Sequence, residues 1–156
     1  MKGTAITSII VLILLAGSAS ALANSVVRCD IMSIEASNAN TGIDPKLNKY
    51  RAIFQKPPFT GFNSFELVSH QSIEVQMPAA KTLTLPNAIG GLLRLRGEQK
   101  GAFQLTLTIA RDGQTPVSIE GVASPGTPLF TAGFKSPRGI WVFGIACEQK
   151  KTIIKY

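Results

Sequence analysis

His70 is the single histidine of the chain, so it is the only imidazole open to proton transfer or metal binding. Nine carboxylates could work beside it. Asp44 stands before Pro45, the pattern of a helix N-cap, and Asp112 precedes Gly113 in a turn dipeptide. Asp30 is then the one aspartate without a local structural role. Glu35, Glu66, Glu74, Glu98, Glu120 and Glu148 are scattered singly. General acid–base catalysis needs a group with a tuned pKa held against its substrate. No G-x-S-x-G, H-E-x-x-H or P-loop supplies a nucleophile, a zinc site or a phosphate cradle. The one remaining route is a carboxylate pair assembled in space from separate strands, as glycoside hydrolysis uses. The expectation is a protein that is not an enzyme and carries no cofactor.

Metal chemistry fares no better. His70, Cys29 and Cys147 make three candidate ligands at best. The stretch from Asn38 to Asp44 has side-chain oxygens at alternate positions before Gly42, as calcium loops do. It carries one carboxylate where such loops need several, and its glycine comes one place early. A polar loop leading into a helix cap explains it better, and no metal is expected.

Cys29 and Cys147 are the only cysteines. Cys29 shares strand parity with Val27 and Ile31, and Cys147 shares it with Trp141, Phe143 and Ile145, so both point toward a core. In a protein made outside the cytoplasm an even pair predicts a disulfide. Its loop would exceed a hundred residues, for which chain entropy gives about 4–5 kcal/mol. Two buried free thiols are the alternative. The order Cys, Trp, Cys suggests an immunoglobulin domain, but there the tryptophan follows the first cysteine closely. Here Trp141 lies just before the second.

Half of the chain's phenylalanines crowd one segment: Phe54, Phe59, Phe62 and Phe65. A stacking platform needs aromatics facing water on one plane, which period two along a strand supplies. The spacing of three, broken by Gly61 and Asn63, does not. Phe54, Phe59 and Phe65 are expected to close a seam between helix and sheet, with Pro57-Pro58 turning the corner. Phe62 is left for a partner.

The elements that must position these residues are mostly strands. Phe103, Leu105, Leu107 and Ile109 alternate with polar residues, as do Leu83 and Leu85, and Leu93 and Leu95. Gly101, Asp112-Gly113, Ser124-Pro125-Gly126 and Ser136–Gly139 punctuate them as turns. Short strands at this spacing predict a mainly β fold, an antiparallel β-sandwich or barrel. The last strand, GIWVFGIAC at 139–147, is apolar on both faces and needs covering on both. One short helix from Asp44 to about Gln55, with Leu47, Tyr50 and Phe54 on one face, is available to dock on it.

The first residues read as an export signal. Lys2 precedes the apolar block IIVLILLA at 9–16, and Ala21-Leu22-Ala23 offers an A-x-A cleavage site. The block is too short for an ordinary spanning helix, which needs about 20 such residues. The chain thus divides into a signal peptide (1–23), a single β-rich domain (24–149) and a basic C-terminal tail or strand extension (150–156). The protein is expected to be secreted, periplasmic or extracellular, and to meet a membrane only through the uncleaved signal. Removing Lys2 from a total of +7 leaves about +6, half of it from Lys150, Lys151 and Lys155. The interleaved charge of the body gives a weak, diffuse field, and no nucleic acid is expected as partner.

Four patches in order, EASNANTGIDPKL (35–47), KPPFTGFNSFELV (56–68), TLTLPN (82–87) with ASPGTPLFTAG (123–133), and GIWVFGIAC (139–147), resemble an uncharacterised family of small secreted bacterial proteins. The resemblance implies a secreted bacterial domain and carries no catalytic residue. Two functions then compete. One is a non-catalytic envelope or extracellular domain that binds a protein partner, through an exposed strand edge. The other is a binder of anionic or carbohydrate polymer through Arg94, Arg96, the C-terminal lysines and a surface aromatic. A cell-wall hydrolase is a distant third. Exported material should begin at or near Asn24 on N-terminal sequencing; a chain still starting at Met1 would make it a membrane-anchored protein instead.

Overall fold

The computed structural model describes residues 25–150, so the signal peptide expected at 1–23, Asn24, Lys151 and Lys155 lie outside the described residues. Alternation becomes strand almost everywhere it was read. In chain order the strands are β1 (Val26–Ser37), β2 (Gly42–Ile43), β3 (Ser64–Gln76), β4 (Ala80–Leu85), β5 (Ile89–Gln99), β6 (Ala102–Ala110), β7 (Val117–Ala123), β8 (Leu129–Lys135) and β9 (Gly139–Gln149). They form a five-stranded sheet, β2-β3-β1-β9-β8, packed on a four-stranded meander, β4-β5-β6-β7. All pairings are antiparallel except the two-residue β2 against β3. The architecture is a sandwich, and no closed barrel forms.

The core between the sheets is built from the inward parity of each strand. Val27, Cys29 and Ile31 of β1 and Trp141, Phe143 and Ile145 of β9 meet the leucines of β4, β5 and β6 together with Phe103 and Ile109. Cys29 and Cys147 stand directly opposite in the β1–β9 ladder and are joined as a disulfide.

The outer face of the five-stranded sheet has its own apolar layer. Met32, Ile34, Ala36 and Val142 pack against Leu47, Tyr50, Phe54, Phe59 and Phe65. This explains why β9 is apolar on both faces: Trp141 and Phe143 look inward while Val142 looks out.

The covering segment differs from the single helix expected. Pro45–Tyr50 is a 3-10 helix and only Arg51–Phe54 (α1) is α-helical. The spacing accommodates this change of helix type. Leu47 and Tyr50 are three apart and eclipse in a helix of three residues per turn, whereas Phe54 follows Tyr50 by four. The cap itself is as read, with an Asp44 carboxylate oxygen accepting from the Lys46 N–H at 2.9 Å. Asp44 also ties backward to β3, donating its N–H to the Phe65 carbonyl at 2.9 Å.

Phe54 is the hub of the aromatic cluster. Its ring stacks on Phe65 at 4.4 Å and meets Phe59 and Phe130 edge-on at 5.9 and 5.3 Å. Phe54, Phe59 and Phe65 are 2%, 4% and 3% exposed, so the segment is an anchor. Phe62 is half-buried at the edge of the same cluster. Gly144 admits the Phe130 ring, since a Cβ there would lie 2.5 Å from it.

Truncating Phe59 or Phe65 to alanine should cost about 3–5 kcal/mol in urea unfolding, the range for a buried phenylalanine. Phe62→Ala should cost clearly less. Equal losses at all three positions would place Phe62 in the core.

Candidate functional site

Two polar constellations stand out, on opposite faces of β1. The first follows from a bulge. The β1–β3 register shifts between Ser33, which faces Ser69, and Ile34, which faces Leu67, leaving Val68 as an extra residue. An extra residue resets parity, so Phe65, Leu67 and His70 all share the outer face with Met32 and Ile34. His70 thus arrives beside Asp30, with Nε2 3.6 Å from the Asp30 Oδ1. That is an ion-pair distance and too long for a hydrogen bond. The Arg28 Nε lies 3.9 Å from the same oxygen but donates to the Ser72 hydroxyl at 2.8 Å. Asp30 Oδ1 is shielded from solvent and accepts no hydrogen bond. The Asp30 residue lines a cleft of about 350 Å³ between the strands, the 3-10 segment and the Pro125-Gly126 turn. Both cysteines are oxidised, so no thiol is available as nucleophile. Among the described residues no hydroxyl is hydrogen-bonded to His70 either.

The second constellation is the carboxylate pair that the sequence left open. Glu35 of β1 and Glu66 of β3 are directly opposite. Arg138, in the turn before β9, bridges them. Its Nε donates to Glu35 Oε2 at 2.7 Å, its backbone N–H donates to Glu35 Oε1 at 3.0 Å, and a terminal nitrogen reaches Glu66. Glu35 is buried, with its side chain 5% exposed. Burial alone would push its pKa up. The Ser136 hydroxyl, the Arg138 N–H and the Arg138 guanidinium together outweigh that and hold it below the usual carboxylate range. A glycosidase pair needs one carboxyl raised so that it can donate a proton. Glu35 is shifted in the opposite direction. Nothing local marked these residues, because Glu35 and Arg138 are 103 residues apart. Only the Ser-Pro-Arg-Gly turn was visible as a feature.

The residues singled out for a partner or polymer are not brought together. Arg94 and Arg96 sit exposed on the outer face of β5, whereas Phe62 lies outside the other sheet. Arg96 pairs with Glu120 at 2.7 Å, and Lys150 pairs with Glu74 at 2.7 Å. Among the described residues no three His, Cys, Asp or Glu side chains are grouped to hold a metal ion. The loop from Asn38 to Gly42 is instead tied to the start of β3, with Asn63 Nδ2 donating to Asn40 Oδ1 at 2.6 Å and the Thr41 N–H to the Ser64 hydroxyl at 2.9 Å. Compared with protein-family models, curated proteins and solved structures, the chain matches none.

A carboxyl whose folded pKa is depressed contributes stability that is complete above the usual carboxylate range. That contribution is lost as pH falls through the lowered value. Wild type should therefore be more stable than Glu35→Gln near neutral pH, and the gap should close in acid. Chemical unfolding in buffers from about pH 7 to about pH 3 checks this. A gap unchanged across that range would assign the effect to packing rather than charge.

Proposed function

We propose that the chain is an exported, non-catalytic domain of the bacterial envelope or extracellular space, binding a protein partner. The free edge of β3 adds an extended segment of that partner as a further strand. The observation that carries this reading is the length of the edge. β3 runs 13 residues, and β1 pairs along one side of it, but β2 pairs on the other only at Ser64 and Phe65.

The disulfide indicates which backbone groups face outward. A Cα separation of 4.1 Å at Cys29 and Cys147 is that of a non-hydrogen-bonded pair. Odd-numbered residues of β1 therefore direct their amides to β3. Beyond the bulge, Ser69, Gln71, Ile73 and Val75 answer them. His70, Ser72 and Glu74 turn their N–H and C=O groups to the open edge. The Leu67 N–H, which meets the Asp44 carboxylate at 3.4 Å, points the same way. Natural edges are blunted by proline, lysine or bulges. β3 has neither residue and relies on the Val68 bulge, with Val68 itself 44% exposed.

Export is supported by the disulfide, which persists in oxidising compartments. Among the described residues no helix is long and apolar enough to cross a membrane. The Arg138 clamp on Glu35 and Glu66 weighs against a hydrolase. The ion pairs of Arg96 and Lys150 leave little concentrated charge for a polyanion.

Ser72→Pro removes an outward N–H, which an edge position tolerates, together with an exposed hydroxyl that accepts from Arg28 Nε. Immobilised mature protein should capture its partner from envelope extract and keep it in high salt, whereas the folded Ser72→Pro variant should not. Capture that disappears with salt and ignores Ser72→Pro would select the polymer reading instead.

A further inference from the structure

We infer that the outer-face cleft binds a small zwitterion, a free amino acid or short peptide with an apolar side chain. The site is separate from strand addition at the β3 edge. Its charges are sorted by wall. The 3-10 segment presents Lys46 and Lys49, and the strands present Asp30 and Glu148. Lys46 and Lys49 are three apart and project from the same side of a helix with three residues per turn. Among the described residues neither ammonium has an acidic partner. Lys49 is instead steadied 4.8 Å over the Tyr50 ring, and that ring is held edge-on by Phe130 at 5.2 Å. The basic wall is thereby fixed to the aromatic cluster.

Between the two poles the lining turns apolar, with Met32, Leu67 and Tyr50. Small-ligand sites combine such a surface with a few placed polar groups in clefts of about 300–1,000 Å³, and this one holds about 350 Å³. The Asp30 carboxylate is the most informative group. Its Oδ1 has no donor, with only the long approaches of His70 at 3.6 Å and Arg28 at 3.9 Å, while the side chain as a whole stays 35% exposed. A carboxylate so short of donors is stabilised by any ligand that brings one, most of all a charged one. A ligand ammonium at Asp30 and a ligand carboxylate at Lys46 and Lys49 complete both poles. An apolar side chain then covers Met32 and Leu67. A plain anion would meet Asp30 and Glu148 unfavourably, and a plain cation would meet the lysines.

The test titrates the ¹⁵N-labelled mature protein with the dipeptide Leu-Leu, its N-acetyl form and its C-terminal amide. The free dipeptide should give saturable shifts at Asp30, Lys46, Lys49 and His70. Either cap should weaken binding about tenfold or more, the loss expected for one charge-assisted contact. The double variant Lys46→Gln/Lys49→Gln should weaken the free dipeptide to the level of the amide and leave the amide unaffected. Asp30→Asn should do the same relative to the acetylated form. Glu74→Pro, which removes an outward N–H of the same β3 edge at a residue outside the cleft lining, should leave all affinities unchanged, which separates this site from the strand edge. Capped and free peptides binding alike, or no saturable shift from any of the three, overturns the proposal.

Discussion

Val27 to Ser37 of β1 and Gly139 to Gln149 of β9 pair in unbroken antiparallel register, and every other layer is packed against that ribbon. Odd positions of both strands face the four-stranded sheet, and even positions face the 3-10 segment and α1. The disulfide joins the two strands near one end of the ribbon across 118 positions of sequence. At the other end Gly139 lets the turn press directly onto β1, because a Cβ there would collide with the Ala36 carbonyl oxygen. That close approach brings Arg138 over Glu35. The ion cluster and the core are therefore consequences of one pairing.

Covering both faces of the ribbon sets the rest of the architecture. A two-layer sandwich covers one face and leaves the other to whatever the chain supplies between β1 and β3. Asp44 anchors that segment at its start, through its backbone to Phe65 and its carboxylate to Lys46 and Leu67. The phenylalanines pin its end. The bulge at Val68 is what allows one strand to serve two purposes. Before it, Phe65 and Leu67 pack beneath the aromatic cluster; after it, His70 and Ser72 line an open surface on the same side.

Much of this was legible in the residues. Period two marked the strands, because a half-buried strand leaves alternation behind, and the doubly apolar run at 139–147 announced that a second cover was needed. Parity also placed both cysteines inward, though not as neighbours on adjoining strands. What stayed hidden was everything set by register. Glu35 and Glu66 look like isolated surface acids until β1 and β3 are aligned, and Arg138 looks like a turn residue until β9 is brought beside β1. The Asp30–His70 approach depends on a bulge, and a single extra residue leaves no pattern that periodicity can detect. The 3-10 geometry of Pro45–Tyr50 was implicit in the spacing of Leu47 and Tyr50, yet a three-then-four spacing also suits a continuous α-helix.

The pairing of first strand with last also governs the order in which the domain can close. A chain synthesised from its N-terminus presents β1 and β3 early, and the meander from β4 to β7 can form from contacts near in sequence. β1 nevertheless keeps one side open, and Cys29 stays without its partner thiol, until the residues around Cys147 arrive. Closure of the sandwich and oxidation of the two thiols to the cystine thus wait for the C-terminal end of the described domain, when β9 can take its place beside β1.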